Sequence, residues 1–447
     1  MKKTILTLAI ACLFVASCSK NGASSTVEMP TPATVEIPKS AEIASVTIPI
    51  IPSITFDITS YGASTSSPNN TTSILSAISA ASSAGGGTVV VPSGTFLCGP
   101  IKLKNNVGLQ LSSGAVLKAL AYSDYPGSGS TADVASFIDF TGLTNVKISG
   151  SGTLEGQGAA WWSAYNTSKA AGAAIARPAM IGFTSATTVE ISGITIQNAP
   201  NSHIGVGKKN NSVTISGVTI NSPSTSPNTD GIDTWSPNIN ITNCNISCGD
   251  DNIAMNNNST YVTISGCTFG AGHGLSIGSY AADIDHITVD NCTFNGTSNG
   301  VHIKSNRTRS GTVQYLTYSN LTMTNVPNPI NLCEYYPDNT IPSSASGDTA
   351  QPVTSTTPVW KHITFKNITA TGATKAGILW AVPEKPMGDL IFDNVKITAS
   401  TGLTANYING ASFINGSKIT VSSGNAFTST YGSSNITGIN LTTGAAQ

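Results

Sequence analysis

Four segments of the chain decide the fold: SPNTDGIDTW (226–235), SCGDDNIAM (247–255), GAGHGLSIGS (270–279) and NGVHIKSN (299–306). They carry side chains suited to acid–base chemistry at intervals of twenty to thirty positions, namely Asp230, Asp250, Asp251, His273, His302 and Lys304. A chain that returns to one edge at this interval stacks such residues on successive turns of a coil. Neighbouring parallel strands lie about 4.8 Å apart. The spacing therefore predicts that these side chains meet in one place.

The same interval governs a repeat of short strands. Successive units read VEISGITI (189–196), VTISGVTI (213–220), INITNCNI (239–246), VTISGCTF (262–269) and ITVDNCTF (287–294). Each unit contains two alternating strands that are too short to bury an apolar face alone, so they must stack on their neighbours. The joining Ser-Gly, Thr-Asn and Asp-Asn pairs suit bends with positive φ. The sequence predicts an all-β chain folded as a right-handed parallel β-helix.

A short helix is expected to cover the first turn of this solenoid. Residues 71–84 carry apolar groups at helical spacing, and three glycines follow as a stop signal. Order should begin near Phe56, with strands from Thr88 onward. The equivalent cysteines Cys244, Cys267 and Cys292 should form a buried column of small apolar groups rather than disulfides.

Composition favours one elongated catalytic domain over 51–447, preceded by a flexible Pro- and Thr-rich tether at 19–50. Charged residues are only 10% of the sequence and the net charge is −1, which gives no reason to expect a nucleic acid partner. We expect a monomer.

The N-terminus has the features of a targeting segment. Lys2 and Lys3 precede an apolar run from Ile5 to Ala16 that is too short to span a bilayer. The run ends in Val-Ala-Ser-Cys, which predicts a lipoprotein-type signal over 1–18 and a lipid on Cys18 as the sole membrane attachment. An ordinary signal peptide with an incidental cysteine is the alternative. Either way the protein is expected to be exported, to the cell envelope or the medium.

Three aspartates, Asp230, Asp250 and Asp251, stand out because carboxylates are scarce here. Like charges this close raise at least one pKa, which supplies an acid and a base in one place. Hydrolysis of a glycosidic bond needs such an arrangement. Turn roles for the aspartates, or a calcium site, remain alternatives. We predict no metal ion and no cofactor.

Two cationic candidates, His302 and Lys304, have the same strand parity and should point to one face. Beside carboxylates they suit an anionic sugar, or they balance the aspartates. His273 by itself is typical of a hydrogen-bonded turn histidine.

Together these segments resemble glycoside hydrolase family 28, the polygalacturonases. The family motifs Asn-Thr-Asp, Gly-Asp-Asp, Gly-His-Gly and Arg-Ile-Lys correspond here to 228–230, 249–251, 272–274 and His-Ile-Lys at 302–304. Further similarity lies in GGGTVVVPSG (85–94), GSGTLEGQGAAWW (150–162) and Asn-Pro-Ile at 328–330. The resemblance covers most of the chain after residue 50.

The resemblance implies an inverting hydrolase whose polysaccharide substrate is α-1,4-linked galacturonan. It implies that Asp250 is the general acid and that Asp230 and Asp251 hold and activate water. His273 would tune the cluster. The implied substrate-binding residues are Asn228, His302, Lys304 and Tyr336, with Tyr335 as the less favoured tyrosine.

One residue departs from the family pattern, because His302 stands where the family has arginine. Arginine holds a carboxylate with a permanently charged, bidentate fork, whereas histidine is mostly neutral near neutral pH. We therefore hypothesise a weaker hold on one uronate carboxylate, and tolerance of a methyl-esterified or otherwise altered unit.

Two alternatives stay open at the level of sequence. A polysaccharide lyase shares the fold and would use Lys304, Arg307 or Arg309 as its base. A non-catalytic glycan-binding protein would not need three aspartates. Whether cleavage is internal or from chain ends depends on loops such as 336–359.

Overall fold

The computed structural model describes residues 46–338, 340 and 347–447. The predicted signal segment, Cys18 and most of the predicted tether lie outside these residues. Within them, no helix is long and apolar enough to cross a membrane.

The described strands wind as a right-handed parallel β-helix with three faces, as predicted, and every strand pairs in parallel with the strand one coil away. Face 1 contains Thr55–Asp57, Gly87–Val91, Val107–Leu111, Thr144–Gly150, Thr187–Ser192, Asn211–Ser216, Ile239–Thr242, Thr260–Ser265, Ile284–Asp290, Ile408–Ile414 and Ser434–Thr437. Face 2 contains Gly94–Cys98, Ala115–Ala119, Thr153–Glu155, Thr195–Gln197, Thr219–Asn221, Asn245–Ser247, Thr268–Phe269, Thr293–Asn295 and Lys418–Val421.

Face 3 contains Ile101–Lys102, Ile138–Asp139, Ile181–Phe183, Ile204–Lys208, Ile232–Trp235, Ile253–Met255, Leu275–Ile277, Asn299–Lys304, Asn328–Cys333 and Phe427–Ser429. Three longer strands run around the corners and serve more than one face: Thr312–Thr324, Val359–Trp380 and Met387–Asn406. Sequence periodicity does not distinguish such continuous strands from two short ones.

Stacked apolar side chains fill the interior of the coil. On face 3, Ile232 pairs in register with Ile253, which pairs with Leu275, and all three are fully buried. Aromatic residues continue this stacking on face 1, where Phe392 lies 4.4 Å from Phe413 between ring centroids. Because each coil covers the apolar side of its neighbour, the strands gain burial that none has alone.

The bends between faces follow the recurring Gly and Asn residues. Gly217 and Gly266 have φ of 62° and 64°, and Asn243 and Asn291 have φ of 54° and 52°. Glycine and asparagine tolerate this left-handed conformation better than other residues. The asparagines also bond to one another, as where Asn367 donates to Asn320 at 3.0 Å. The predicted bend chemistry is confirmed.

The predicted capping helix and cysteine column are both present. The helix spans Thr71–Ser83 and buries Ile74, Ala77, Ile78 and Ala81 against the first coil. Cys244, Cys267 and Cys292 are buried free thiols. The first strand, Thr55–Asp57, begins the sheet earlier than predicted.

A second helix, Gly158–Ala170, has no counterpart in the sequence predictions. It interrupts the coil between faces 2 and 3. Trp161 is its fully buried anchor, and the Nε1 of Trp162 donates to the carbonyl oxygen of Ala199 at 3.0 Å.

Small residues on the outer side of face 3 create a groove. The outward positions of successive coils pair as Gly182 with Gly205, Gly205 with Asp233, and Asp233 with Ala254. Side chains this small leave the sheet surface open between higher turns. A cavity of about 420 Å³ lies here, and Asp233 and Trp235 line one end of it.

Candidate active site

The predicted site residues come together on face 3, on the coils that continue from the Asp233 end of this groove. Asp230, Asp250 and His273 lie in the turns that lead into consecutive strands of face 3, and His302 and Lys304 lie on the next strand, Asn299–Lys304. Backbone hydrogen bonds continue through these turns. Gly231 N–H donates to the carbonyl oxygen of Asp251 at 2.9 Å, and His273 N–H to that of Asp250 at 2.8 Å. The coil spacing therefore holds the site on a rigid frame.

Two glycines make room for His273. At Gly274 φ is 92°, and an added Cβ would clash with the carbonyl oxygen of Asn299. At Gly272 φ is 141°, and a Cβ would clash with the side chain of Asn252. The Gly-His-Gly motif is thus a steric requirement of the turn.

Asp250 and His273 form an ion pair, with His273 Nδ1 2.9 Å from Asp250 Oδ1. Burial alone would raise the pKa of Asp250, but the His273 bond and the charges of His273 and Lys304 outweigh it and hold that pKa below its usual value. The hydrogen bond to Asp250 raises the pKa of His273 despite burial. The lowered pKa of Asp250 and the raised pKa of His273 both favour the form of the pair in which the proton lies on the imidazole.

Asp251 is held by two donors. Lys304 Nζ lies 2.7 Å from its Oδ2, and Ser276 Oγ donates to its Oδ1 at 2.7 Å. The side chains of Lys304 and Asp251 are only 7% and 5% exposed. The Asp251 charge raises the pKa of Lys304 against the opposing effect of burial. This pairing suits a carboxylate anion and fixes its orientation.

Asp230 lies in a different electrostatic environment. Burial, followed by the charges of Asp233, Asp250 and Asp251, raises its pKa well above the usual value. Burial, followed by the charges of Asp251 and Asp250, raises the pKa of Asp233 to about 7. The backbone of Asp230 is fixed because its carbonyl oxygen lies 2.9 Å from Nδ1 of the buried His203. Burial and the neighbouring carboxylates therefore both favour the protonated form of Asp230.

Asn228 connects the cluster to Arg177. Its Nδ2 donates to Asp250 Oδ2 at 3.3 Å, and its Oδ1 accepts from Arg177 Nη2 at 3.0 Å. Arg177 also donates to the carbonyl oxygens of Pro200 and Pro227. One arginine thus ties together the two turns beside the aspartates.

His302 and Tyr336 complete the predicted set. His302 pairs in register with Ser276 and is 8% exposed. Burial, helped by the cations Lys304 and His273, lowers its pKa well below the usual range, so it is neutral. The Tyr336 ring lies 5.3 Å from Lys304 Nζ, whereas the Tyr335 hydroxyl donates to Asp348. Tyr336 is therefore the tyrosine beside the aspartates.

Asp250, Asp251 and His273 place possible ligand atoms within 4.8 Å of one another, close enough to ligate a cation. Asp250 already accepts from His273, and Asp251 from Lys304 and Ser276. A cation would have to displace these donors.

All eight predicted residues thus lie in one neighbourhood. Sequence reasoning missed four side chains that support them: Arg177, His203, Asp233 and Ser276. Asp233 and Ser276 lie within the segments 226–235 and 270–279 that predicted the site, and the structure places both on outward positions of face 3 strands. Arg177 and His203 act through turns whose paths the sequence did not define.

The sequence profile of glycosyl hydrolases family 28 matches residues 82–417. An endo-polygalacturonase of Pectobacterium carotovorum subsp. carotovorum is 32% identical over 332 residues, covering 69% of this chain and 79% of that protein. A probable polygalacturonase of Arabidopsis thaliana is 34% identical over 323 residues, covering 70% of this chain and 67% of its own.

Among solved structures, the chain is similar to a polygalacturonase from Erwinia carotovora ssp. carotovora. It superposes with a TM-score of 0.71 at 30% identity, covering 83% of this chain and all of that one. Fold, clustered aspartates and sequence profile agree: this chain is a glycoside hydrolase and belongs to glycosyl hydrolases family 28.

Proposed function

We propose that the protein hydrolyses α-1,4-linked galacturonan with inversion at the anomeric carbon. The observation that carries this proposal is the pairing of Asp250 with His273 and of Asp251 with Lys304 on the coils that continue from an open groove, in a chain of family 28. The first pair can supply a proton, and the second places a carboxylate beside a cation. Inverting hydrolysis needs one group of each kind.

Asp250 serves as the proton donor to the leaving oxygen. Its side chain is 21% exposed, against 5% for Asp251, so it can reach a substrate oxygen. The proton that His273 holds in the free enzyme passes to Asp250 along their 2.9 Å hydrogen bond and from there to the substrate. His273 thus sets the pH range over which a proton is available.

Asp251 serves as the base that takes a proton from the attacking water. Lys304 and Ser276 contact its two oxygens and keep it oriented. Asp230, whose pKa is raised well above its usual value by burial and by the neighbouring carboxylates, holds the water by hydrogen bonding. The two water-holding aspartates therefore lie in different surroundings, since Asp251 contacts Lys304 whereas Asp230 is buried among further carboxylates.

His302 makes the substrate position beside it tolerant of an uncharged sugar unit. A buried neutral imidazole offers no fixed charge to a carboxylate, and its Nδ1 has no hydrogen-bond partner among the described residues. A methyl ester avoids the cost of leaving a carboxylate there without a cation. A steep loss of activity with increasing esterification would argue against this tolerance.

Product analysis tests the reaction itself. Incubation with polygalacturonate should release reducing ends without absorbance near the ultraviolet band of unsaturated uronates. Such absorbance would mean β-elimination, the lyase reaction, for which the family assignment gives no support. Binding without any release of reducing ends would mean a glycan-binding protein.

We further propose that the protein is exported as a monomer and tethered by a lipid on Cys18. The support is the sequence alone: two lysines, a short apolar run and Val-Ala-Ser-Cys. Membrane fractionation of the full chain and of Cys18→Ser tests the tether. Equal membrane association of both would contradict it.

A further inference from the structure

Two arginines follow Lys304, and their surroundings differ. Arg307 pairs with two carboxylates: its Nη2 lies 2.6 Å from Asp348 and its Nε lies 2.5 Å from Glu384. Among the described residues, Arg309 has no carboxylate within ion-pair distance, and its buried Nε makes no hydrogen bond. Arg307 is therefore a structural cation, whereas Arg309 keeps an unmatched charge.

Aromatic rings hold the Arg309 guanidinium in place. Its Cζ lies 5.5 Å from the ring centroid of Tyr280 and 5.6 Å from that of Tyr336. Contacts with ring faces attract the cation but leave its N–H groups without acceptors. The group is thus positioned for an anion that is not part of the described chain.

This arginine adjoins the catalytic cluster through Tyr336. The same ring lies 5.3 Å from Lys304 Nζ, which is bonded to Asp251. Lys304 is already neutralised by that bond, and His302 carries no charge. Arg309 is therefore the cation here that remains available for a substrate carboxylate.

The aromatic contacts continue along the groove. Tyr280 is 46% exposed and packs 5.7 Å from Trp235, whose ring lies 5.9 Å from Lys208 Nζ. From the coil of Trp235 to that of Tyr336 is four steps, about 19 Å at the parallel-strand spacing. A row of this length, in which aromatic rings contact one another and cations, suits several units of an anionic sugar chain.

We propose that Arg309, between Tyr280 and Tyr336, binds the carboxylate of one uronate unit near the cleavage point. Together with the neutral pocket at His302, it selects partially esterified galacturonan, with a free carboxylate at Arg309 and an uncharged unit at His302. This inference rests on the proposed function and specifies its substrate class.

The test compares binding of de-esterified and fully methyl-esterified galacturonate oligomers by calorimetry in an Asp250→Asn background. Arg309→Gln should weaken binding of the de-esterified oligomer about 10- to 100-fold, the range for a lost charge-assisted bond. It should change binding of the esterified oligomer less than about twofold. Arg309→Lys, which keeps the charge without the fork, should lie between.

Lys396→Gln is the matched control, because this exposed lysine lies on face 2, in register with Lys418. It should leave both affinities unchanged. Thermal melting and circular dichroism should show that the Arg309 variants remain folded.

Equal weakening for both oligomers, or none for either, would overturn the inference. If the wild type releases reducing ends from polygalacturonate while Arg309→Gln binds normally, the inference alone fails. If the wild type neither cleaves nor binds galacturonate, both fail.

Discussion

Replacing Lys304 with methionine should show how far the site depends on one buried ion pair. The change preserves the length of the side chain but removes the ammonium group that lies 2.7 Å from Asp251 Oδ2. Asp251 would then be a carboxylate with 5% exposure and a single side-chain donor, Ser276. Removing one partner of such a pair costs about 3–5 kcal/mol of folding free energy.

The variant can relieve part of this cost by protonating Asp251, but that removes the base. We therefore expect Lys304→Met to lose both stability and activity. The double variant Lys304→Met/Asp251→Asn removes both charges, and replacing both partners of a buried pair can be nearly neutral. It should regain about half or more of the lost stability while remaining inactive.

Urea denaturation, followed by circular dichroism and by tryptophan fluorescence, measures the free energy of unfolding of four proteins. These are the wild type, Lys304→Met, Asp251→Asn and the double variant. Coincident transitions from the two probes are required before free energies are compared. The reasoning is refuted if Lys304→Met unfolds within about 1 kcal/mol of the wild type, since exposed pairs contribute that little. It is also refuted if the effects of the two single changes simply add.

Three further predictions concern the acid groups. Asp250→Asn should lower kcat by about 10²–10⁴ on polygalacturonate, the usual contribution of a general acid, without a change in melting temperature beyond a few degrees; retained activity would exclude this role. His273→Gln should lower kcat and move the alkaline limb of the pH–rate profile to lower pH, because the proton held by the raised pKa of His273 is gone; an unmoved limb would mean that another group controls it. Asp233→Asn should stabilise the fold at pH 8 and not at pH 4. The reason is that a carboxyl whose pKa is raised from 3.8 to about 7 in the folded state lowers stability as pH rises through that window. Urea denaturation at the two pH values measures this, and equal effects at both would contradict the assignment.

Sequence spacing was enough to predict the β-helix and the meeting of the aspartates. The reason is geometric, since parallel stacking converts an interval of about one coil into adjacency for Asp230, Asp251 and His273 alike. The bends were predictable for a similar reason, because few residues other than Gly and Asn accept their positive φ.

Other features depended on loop paths that no repeat encodes. The helix Gly158–Ala170 interrupts the coil with a sequence of weak helical periodicity, and Trp161 docks by a contact far from any strand pattern. The difference in ion pairing between Arg307 and Arg309 likewise could not be predicted from the repeat. It is set by Asp348 and Glu384, which are distant in sequence and reach only one of the two arginines.

The distribution of the pocket over five consecutive coils has a consequence for how this protein can change in length. Duplicating or deleting one whole turn before Arg177 or after Tyr336 would leave the site residues, and the side chains of Arg177 and His203 that hold them, in contact. The same event between those residues would push the two halves of the pocket apart by a strand width, about 4.8 Å, or bring the wrong rungs together. Duplication or deletion of a whole turn is therefore tolerated outside the segment that carries the site and disrupts the site when it falls inside that segment.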